Sequence, residues 1–265
     1  MRNGTSWGKA QPSARRLGSC GALQRVMGSE HQHRVHAYFE SQATSWEDRY
    51  SHDAAVKERI GRFKDALRRH AIDAGEVLDL GCGSGRVARS LARDGLSLTG
   101  ADISSRMLDA AAREPGGDQV TWVLQDADRP FPLPLDGAQF DAVISSSVLE
   151  YLTDPKSALA EMARLLKPGG WTLFTVPDPR HPKRGRERFQ QSILRVAPLR
   201  WLAKRTPARN YVLYLELSVH RPSLDRWFGL ATEVGLSVSP IGPCKHPLAM
   251  IEANKPSGGG FVPDD

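Results

Sequence analysis

Between residues 77 and 176 the chain alternates short continuous apolar runs with stretches in which apolar residues recur every three or four positions. The runs 77–80, 96–103, 120–124, 140–145 and 171–176 predict strands, since a strand buried on both faces has no polar side. The stretches 86–93, 105–114 and 154–167 predict helices, the last stopped by Lys167-Pro168-Gly169-Gly170. Upstream, Val56, Ile60, Phe63 and Leu67 are spaced by 4, 3 and 4, which predicts an amphipathic helix over 54–71. Strand–helix alternation of this length predicts an α/β protein with a doubly wound parallel sheet and right-handed crossovers. After Pro177 the rhythm breaks, then returns with a helix over 223–235, begun by Ser223 and stopped by Gly235. Two strands follow, over 236–241 and 248–253.

The interruption at 178–221 has its own pattern. Ile193, Leu194, Val196, Leu199, Trp201 and Leu202 alternate with Arg195, Arg200, Lys204 and Arg205, and Pro198 divides them into two short helices. The ends carry no periodicity. Residues 1–29 are rich in Gly, Ser and Arg and are expected to be disordered, with Met27 an alternative start; 256–265 reads as a flexible Gly-rich tail. One domain over 30–255 remains, opened by an aromatic segment with Tyr38, Phe39, Trp46 and Tyr50.

Composition narrows the class. Three cysteines, Cys20, Cys82 and Cys244, lie far apart without CxxC or Cys/His spacing, which excludes a disulfide framework and structural zinc. No apolar run approaches the ~18–20 residues of a spanning helix. The net charge of +6 is unevenly spread: 1–29 carries +5 and 178–210 carries +8, so the rest is acidic. The basic balance therefore describes two local segments and not a nucleic-acid-binding body. His31, His33 and His36 do not share one helix face and have no partner carboxylates, so no metal site is expected.

Chemistry concentrates at the strand ends, where doubly wound sheets bind ligands. Asp79 closes the first strand, offering a carboxylate to an ammonium group, and Gly81-Cys82-Gly83-Ser84-Gly85 follows as a bare turn that a ligand can approach closely. A dinucleotide fingerprint would need glycine where Arg86 stands. Asp102 ends the second strand, about 20 residues beyond the turn, where an acid accepts both ribose hydroxyls. Asp126, with Ala127, ends the third and can accept an exocyclic amine, while Ile103 and Met107 supply an apolar wall for a ring.

The segments VLDLGCGSG (77–85), ADIS (101–104), QDA (125–127), FDAVISSSVLEYL (140–152) and LLKPGGWTLFTVP (165–177) together resemble the class I S-adenosylmethionine-dependent methyltransferases of small-molecule type. The resemblance implies a Rossmann-like seven-stranded sheet with the last strand antiparallel and an inserted helical lid. It implies S-adenosylmethionine as cofactor, held by Asp79, Gly81, Gly83, Gly85, Asp102, Ile103, Asp126 and Ala127, with Ser145 and Ser146 near its methionine part. It also implies a role for 178–221 in shaping the acceptor pocket. More loosely, Tyr38-Phe39 and 45–50 resemble the aromatic lid of quinone-, tetrapyrrole- and polysaccharide-pathway methyltransferases, in which Tyr50 or Arg49 would close over the cofactor.

Methyl transfer to a hydroxyl gains from a general base; a neutral amine needs none. The candidates are Glu150 and Tyr151 after the fourth strand and His181 after the fifth, with Asp178, Tyr211, Tyr214 and His220 near the insertion. The expected acceptor is a small or lipid-linked molecule, oxygen ahead of nitrogen. The basic insertion adds a peripheral membrane contact through 178–210, in a cytoplasmic protein meeting the inner membrane face. The alternatives are an RNA or DNA methyltransferase using the same basic segment, and a cofactor-binding scaffold without activity. Against the first, Ser145-Ser146-Ser147 stands where amino-methylating nucleic-acid enzymes carry Asn/Asp-Pro-Pro-Tyr.

Overall fold

The computed structural model describes residues 19–50 and 53–258, with side chains omitted at 19–29, 48 and 49. Helix α1 (Ser19–Tyr50) precedes α2 (Ala54–Arg69), which Asp53 caps by accepting the Ala55 N–H at 2.8 Å. The alternating core follows: β1 (Glu76–Leu80), α3 (Arg86–Ala92), β2 (Ser97–Asp102), α4 (Ser105–Arg113), β3 (Val120–Leu124), β4 (Phe140–Ser146), α5 (Pro155–Leu165) and β5 (Leu166–Pro177). Three helices fill the insertion, α6 (Pro182–Leu194), α7 (Ala197–Ala203) and α8 (Arg209–Leu217), before α9 (Leu224–Thr232), β6 (Ser237–Val238) and β7 (Leu248–Asn254).

The seven strands run in the order β3-β2-β1-β4-β5-β7-β6, with β7 antiparallel to both its neighbours. Neighbouring residues of β1 enter opposite cores. Leu78 and Leu80 join a cluster with Leu159, Phe174 and Trp227, under α5 and α9; Val77 joins one with Phe63, Leu67, Val87 and Leu91, under α2 and α3. Burial on both faces is why these strands carry apolar residues at successive positions rather than at every second one. The strand order reverses between β1 and β4, so a crevice opens above their carboxyl ends.

Four boundaries differ from the sequence expectation. Helix α1 begins at Ser19, inside the stretch expected to be disordered; its apolar residues form no single stripe, so periodicity does not reveal it. Residues 1–18 and 259–265 lie outside the described residues. Strand β5 starts at Leu166, since Gly169 N–H donates to Lys255 O at 2.7 Å and Lys255 N–H donates to Gly170 O at 2.9 Å, drawing the Pro-Gly-Gly stretch into the sheet. Strand β6 is only two residues long, ending before Pro240. The insertion has a third helix, α8, which buries Val212, Leu215 and Leu217.

Candidate active site

A cavity of about 750 Å³ lies over the carboxyl ends of β1, β2 and β4. At its floor Asp79 is buried, and neither carboxylate oxygen has a hydrogen-bond partner of ordinary geometry. Burial raises its pKa to about 7; the Ala88 backbone N–H opposes this, and neighbouring Asp102 adds to it. An unpartnered buried carboxylate is costly to keep, so its presence in a cavity marks a position for a cation.

The glycine turn forms one wall. A Cβ on Gly83 would meet nothing within 4 Å, and its φ of +53° suits glycine. Gly85 serves packing instead: a Cβ there would sit 2.3 Å from the Trp122 ring, and the residue does not line the cavity. Asp102 anchors the turn, its Oδ2 accepting Gly83 N–H at 2.8 Å and its Oδ1 accepting Ser104 N–H at 2.9 Å. Burial raises the Asp102 pKa, against the pull of those N–H groups. Gly81, Ile103 and Met107 also line the cavity.

The structure does not bring every expected residue here. Asp126 is exposed, and its Oδ1 accepts the N–H groups of Asp128 (2.8 Å) and Arg129 (3.3 Å), so it closes a turn of its own. Neither it nor Ala127 lines the cavity; Gln125, Pro130 and Phe131 occupy that end. Ser145 is fully buried and ties β4 to β1 by donating to Leu80 O at 2.9 Å, leaving Ser146 at the cavity. His181 caps α6, its Nδ1 accepting Lys183 N–H at 3.2 Å, and stands off the cavity. His31, His33 and His36 each have their own contact: His31 Nε2 donates to Tyr151 O, His33 pairs with Asp128 and His36 with Glu40.

Glu150 and Tyr151 do line the cavity. Glu150 is 1% exposed, its Oε2 has no partner, and burial lifts its pKa to about 7. Its own backbone N–H and the charges of Arg221, Arg59 and Arg184 limit that rise. Tyr151 is driven far above the usual phenol range by burial, so it remains protonated. Between them and the floor, Ser147 holds a left-handed backbone (φ +58°), its N–H donating to Thr175 Oγ1 at 2.9 Å. Such strain in a non-glycine residue clusters at functional sites.

Sequence reasoning missed the clamp that roofs the cavity. Glu47 of α1 takes Ser84 Oγ–H at 2.5 Å, Arg86 Nε at 2.9 Å and Arg89 Nη2 at 3.0 Å, pinning α1 to the glycine turn and α3. Phe39, Trp46 and Tyr50 then form a roof, with ring centroids 5.9 and 4.8 Å apart along the series, and Phe39 meets Tyr151 edge-on at 5.4 Å. Tyr50 lines the cavity, while the side chain of Arg49 lies outside what is described. Arg59 was also missed; its Nη1 donates to Ser146 Oγ at 3.2 Å beside the site.

Asp79, Asp102, Ile103, Met107 and Phe131 thus line one cavity. Residues 78–174 match the family described as "Methyltransferase domain". Demethylmenaquinone methyltransferase of Tropheryma whipplei (strain Twist) is 38% identical over 132 residues, 49% of this chain and 53% of that protein. Ubiquinone biosynthesis O-methyltransferase of Chromobacterium violaceum is 35% identical over 144 residues, 52% of this chain and 60% of that protein. The chain therefore matches little more than half the length of these curated relatives. Magnesium protoporphyrin IX methyltransferase from Synechocystis PCC 6803, solved with bound SAH, superposes with a TM-score of 0.61 at 18% identity, over 83% of this chain and 98% of that one. The fold is that of the class I methyltransferases, and residues 78–174 are similar to a methyltransferase domain.

Proposed function

We propose that the protein transfers a methyl group from S-adenosylmethionine to a hydroxyl of a small-molecule acceptor, with Glu150 as general base. When bound, the cofactor supplies a methyl group already activated on a sulfonium. In this reading the Asp79 carboxylate holds its ammonium, Asp102 its ribose, and Gly83 leaves the main chain open to it, while Gly81, where a Cβ would sit 2.3 Å from Val148, lets the turn pack against that side chain. Ile103 and Met107 flank the base, with Gln125 and Phe131 taking the place expected for Asp126 and Ala127. Ser146 lies toward the methionine end, and Tyr50 with Trp46 excludes water from above. The relatives' names, demethylmenaquinone methyltransferase and ubiquinone biosynthesis O-methyltransferase, support a small-molecule acceptor of quinone type.

Glu150 carries the preference for oxygen. A buried carboxylate with one oxygen free and a pKa of about 7, in the same cavity as Asp79, can take a proton from a hydroxyl at neutral pH. Arg59, Arg184 and Arg221 keep enough of it ionised to act. Tyr151, held protonated, can orient the acceptor as a donor.

The test is transfer of labelled methyl to a panel of phenols and hydroquinones, amines, and transfer RNA. Incorporation into a phenol or hydroquinone is expected. Incorporation into RNA alone, or S-adenosylhomocysteine binding without transfer to any class, would replace this reading with the nucleic-acid or scaffold alternative. At the cofactor end, Asp102→Ala should weaken S-adenosylhomocysteine binding by about 1.5–3 kcal/mol, the size of charge-assisted hydrogen bonds lost. Calorimetric titration reads this; unchanged affinity removes Asp102 from the ribose.

A further inference from the structure

The inserted helices carry an apolar surface that nothing in the cavity uses. Phe189, Leu199, Trp201 and Leu202 are 66, 46, 57 and 56% exposed, and Ile193 and Val196 are exposed beside them. Helix α7 has no buried residue at all. A seven-residue helix is too short to persist on backbone hydrogen bonds alone, and an uncovered cluster of large apolar side chains marks a contact surface. The segment is nevertheless tied down from one side. Lys204 Nζ meets Glu216 at 2.7 Å, Gln191 Nε2 donates to Leu215 O at 2.8 Å, and Tyr211 OH donates to Gln190 Oε1 at 2.8 Å. These polar links hold α6 and α7 against α8 and leave the apolar side facing out.

Charge identifies what covers it. Within 178–210, ten basic residues stand against Asp178 and Glu187. Arg180 pairs with Asp178, Arg184 with Glu187, and Arg200 and Lys204 with Glu216. Lys183, Arg186, Arg188, Arg195, Arg205 and Arg209 pair with no acid among the described residues, and Arg205 lies 3.7 Å over the Trp201 ring. An exposed tryptophan and leucines on a segment rich in unpaired cations, one of them stacked on the tryptophan, suit the boundary between acyl chains and anionic headgroups. A second copy of the chain would oppose cation to cation across a two-fold axis. A phosphate backbone would leave the leucines and Trp201 without an apolar partner. Among the described residues no helix is long and apolar enough to cross a membrane.

We propose that α6 and α7 dock the protein on an anionic phospholipid surface, with Leu199, Trp201 and Leu202 entering the interface and the unpaired basic residues on the headgroups. Pro207, Asn210 and Tyr211, which follow α7, line the cavity, so the docked face adjoins the acceptor's route. Docking itself stands apart from the methyl-transfer reading; only that route rests on it.

The full chain is sedimented with vesicles of phosphatidylcholine alone and of phosphatidylcholine with phosphatidylglycerol, at low and high salt. Binding to the anionic vesicles, weakened by salt, is expected. The variant L199S/W201S/L202S should lose at least about tenfold in partitioning. R186E/R188E should lose about fivefold or more per cation removed. Both variants should keep wild-type affinity for S-adenosylhomocysteine, which shows that the fold survives and separates this result from any failure of the methyltransferase reading. Equal partitioning to both vesicles, no sedimentation, an RNA complex in place of vesicle binding, or a dimer that L199S/W201S/L202S dissociates would each overturn the proposal.

Discussion

Asp79→Asn is expected to make the ligand-free protein more stable at pH 8 while nearly abolishing its binding of S-adenosylhomocysteine. The two effects have one cause. Asp79 is buried with neither oxygen in a hydrogen bond of ordinary geometry, and its pKa is raised to about 7, against 3.8 for an exposed aspartate. An acid with a raised native pKa binds its proton more tightly folded than unfolded. Its penalty is therefore absent below about pH 4, grows as pH climbs from about 4 to 7, and is constant above. About three pKa units at 1.36 kcal/mol each set a ceiling near 4 kcal/mol. The asparagine amide is itself buried without partners, so a gain of about 1–3 kcal/mol is expected. Denaturant unfolding at pH 4 and pH 8 reads it: the variant gains only at pH 8. Its affinity should fall by about 100-fold or more, since a neutral amide cannot pair with an ammonium. A variant no more stable than wild type, or one that binds as well, would mean Asp79 is satisfied by the protein itself.

Glu150→Gln should reduce kcat by about 10²–10⁴-fold and leave S-adenosylhomocysteine affinity unchanged. The substitution keeps the shape of a side chain that is 1% exposed and removes only its ability to accept a proton. In the wild type, kcat should rise with pH and level off above about 7, as Glu150 loses its proton. The sign follows from its role: the base acts in its ionised form, which burial disfavours below that pH. The glutamine variant should lack this limb. A drop smaller than tenfold, or the same pH limb in the variant, would leave Glu150 a positioning or structural residue and favour an amine acceptor.

The layering of the sheet was legible because β1, β2 and β4 are largely buried and carry apolar residues on both faces. The positions of Asp79 and Asp102 were legible for the same reason: a strand end is a local feature, and the sheet order places successive ends side by side. What escaped was non-local. The clamp from Glu47 to Ser84, Arg86 and Arg89 joins residues some 40 positions apart, and α1 lacks the apolar stripe that would announce it. Asp126 misled because a carboxylate after a strand serves equally well to close a turn, and here Asp128 and Arg129 occupy it. Ser145 and Ser146 differ by one position and so point to opposite faces, which no motif distinguishes. Helix α8 could have been found, since Val212 and Leu215 repeat at helical spacing amid the basic segment.

Cofactor binding requires Asp79 to be the cation's seat, and proton linkage tests this most directly. S-adenosylhomocysteine is titrated calorimetrically at pH 6 and pH 8 in buffers of different ionisation enthalpy. At pH 6 the carboxyl is mostly protonated in the free protein and must ionise to meet the ammonium, so binding should release close to one proton. At pH 8 the release should fall to about a tenth of that. Absence of binding at both pH values, or binding at pH 6 with no proton released, contradicts it.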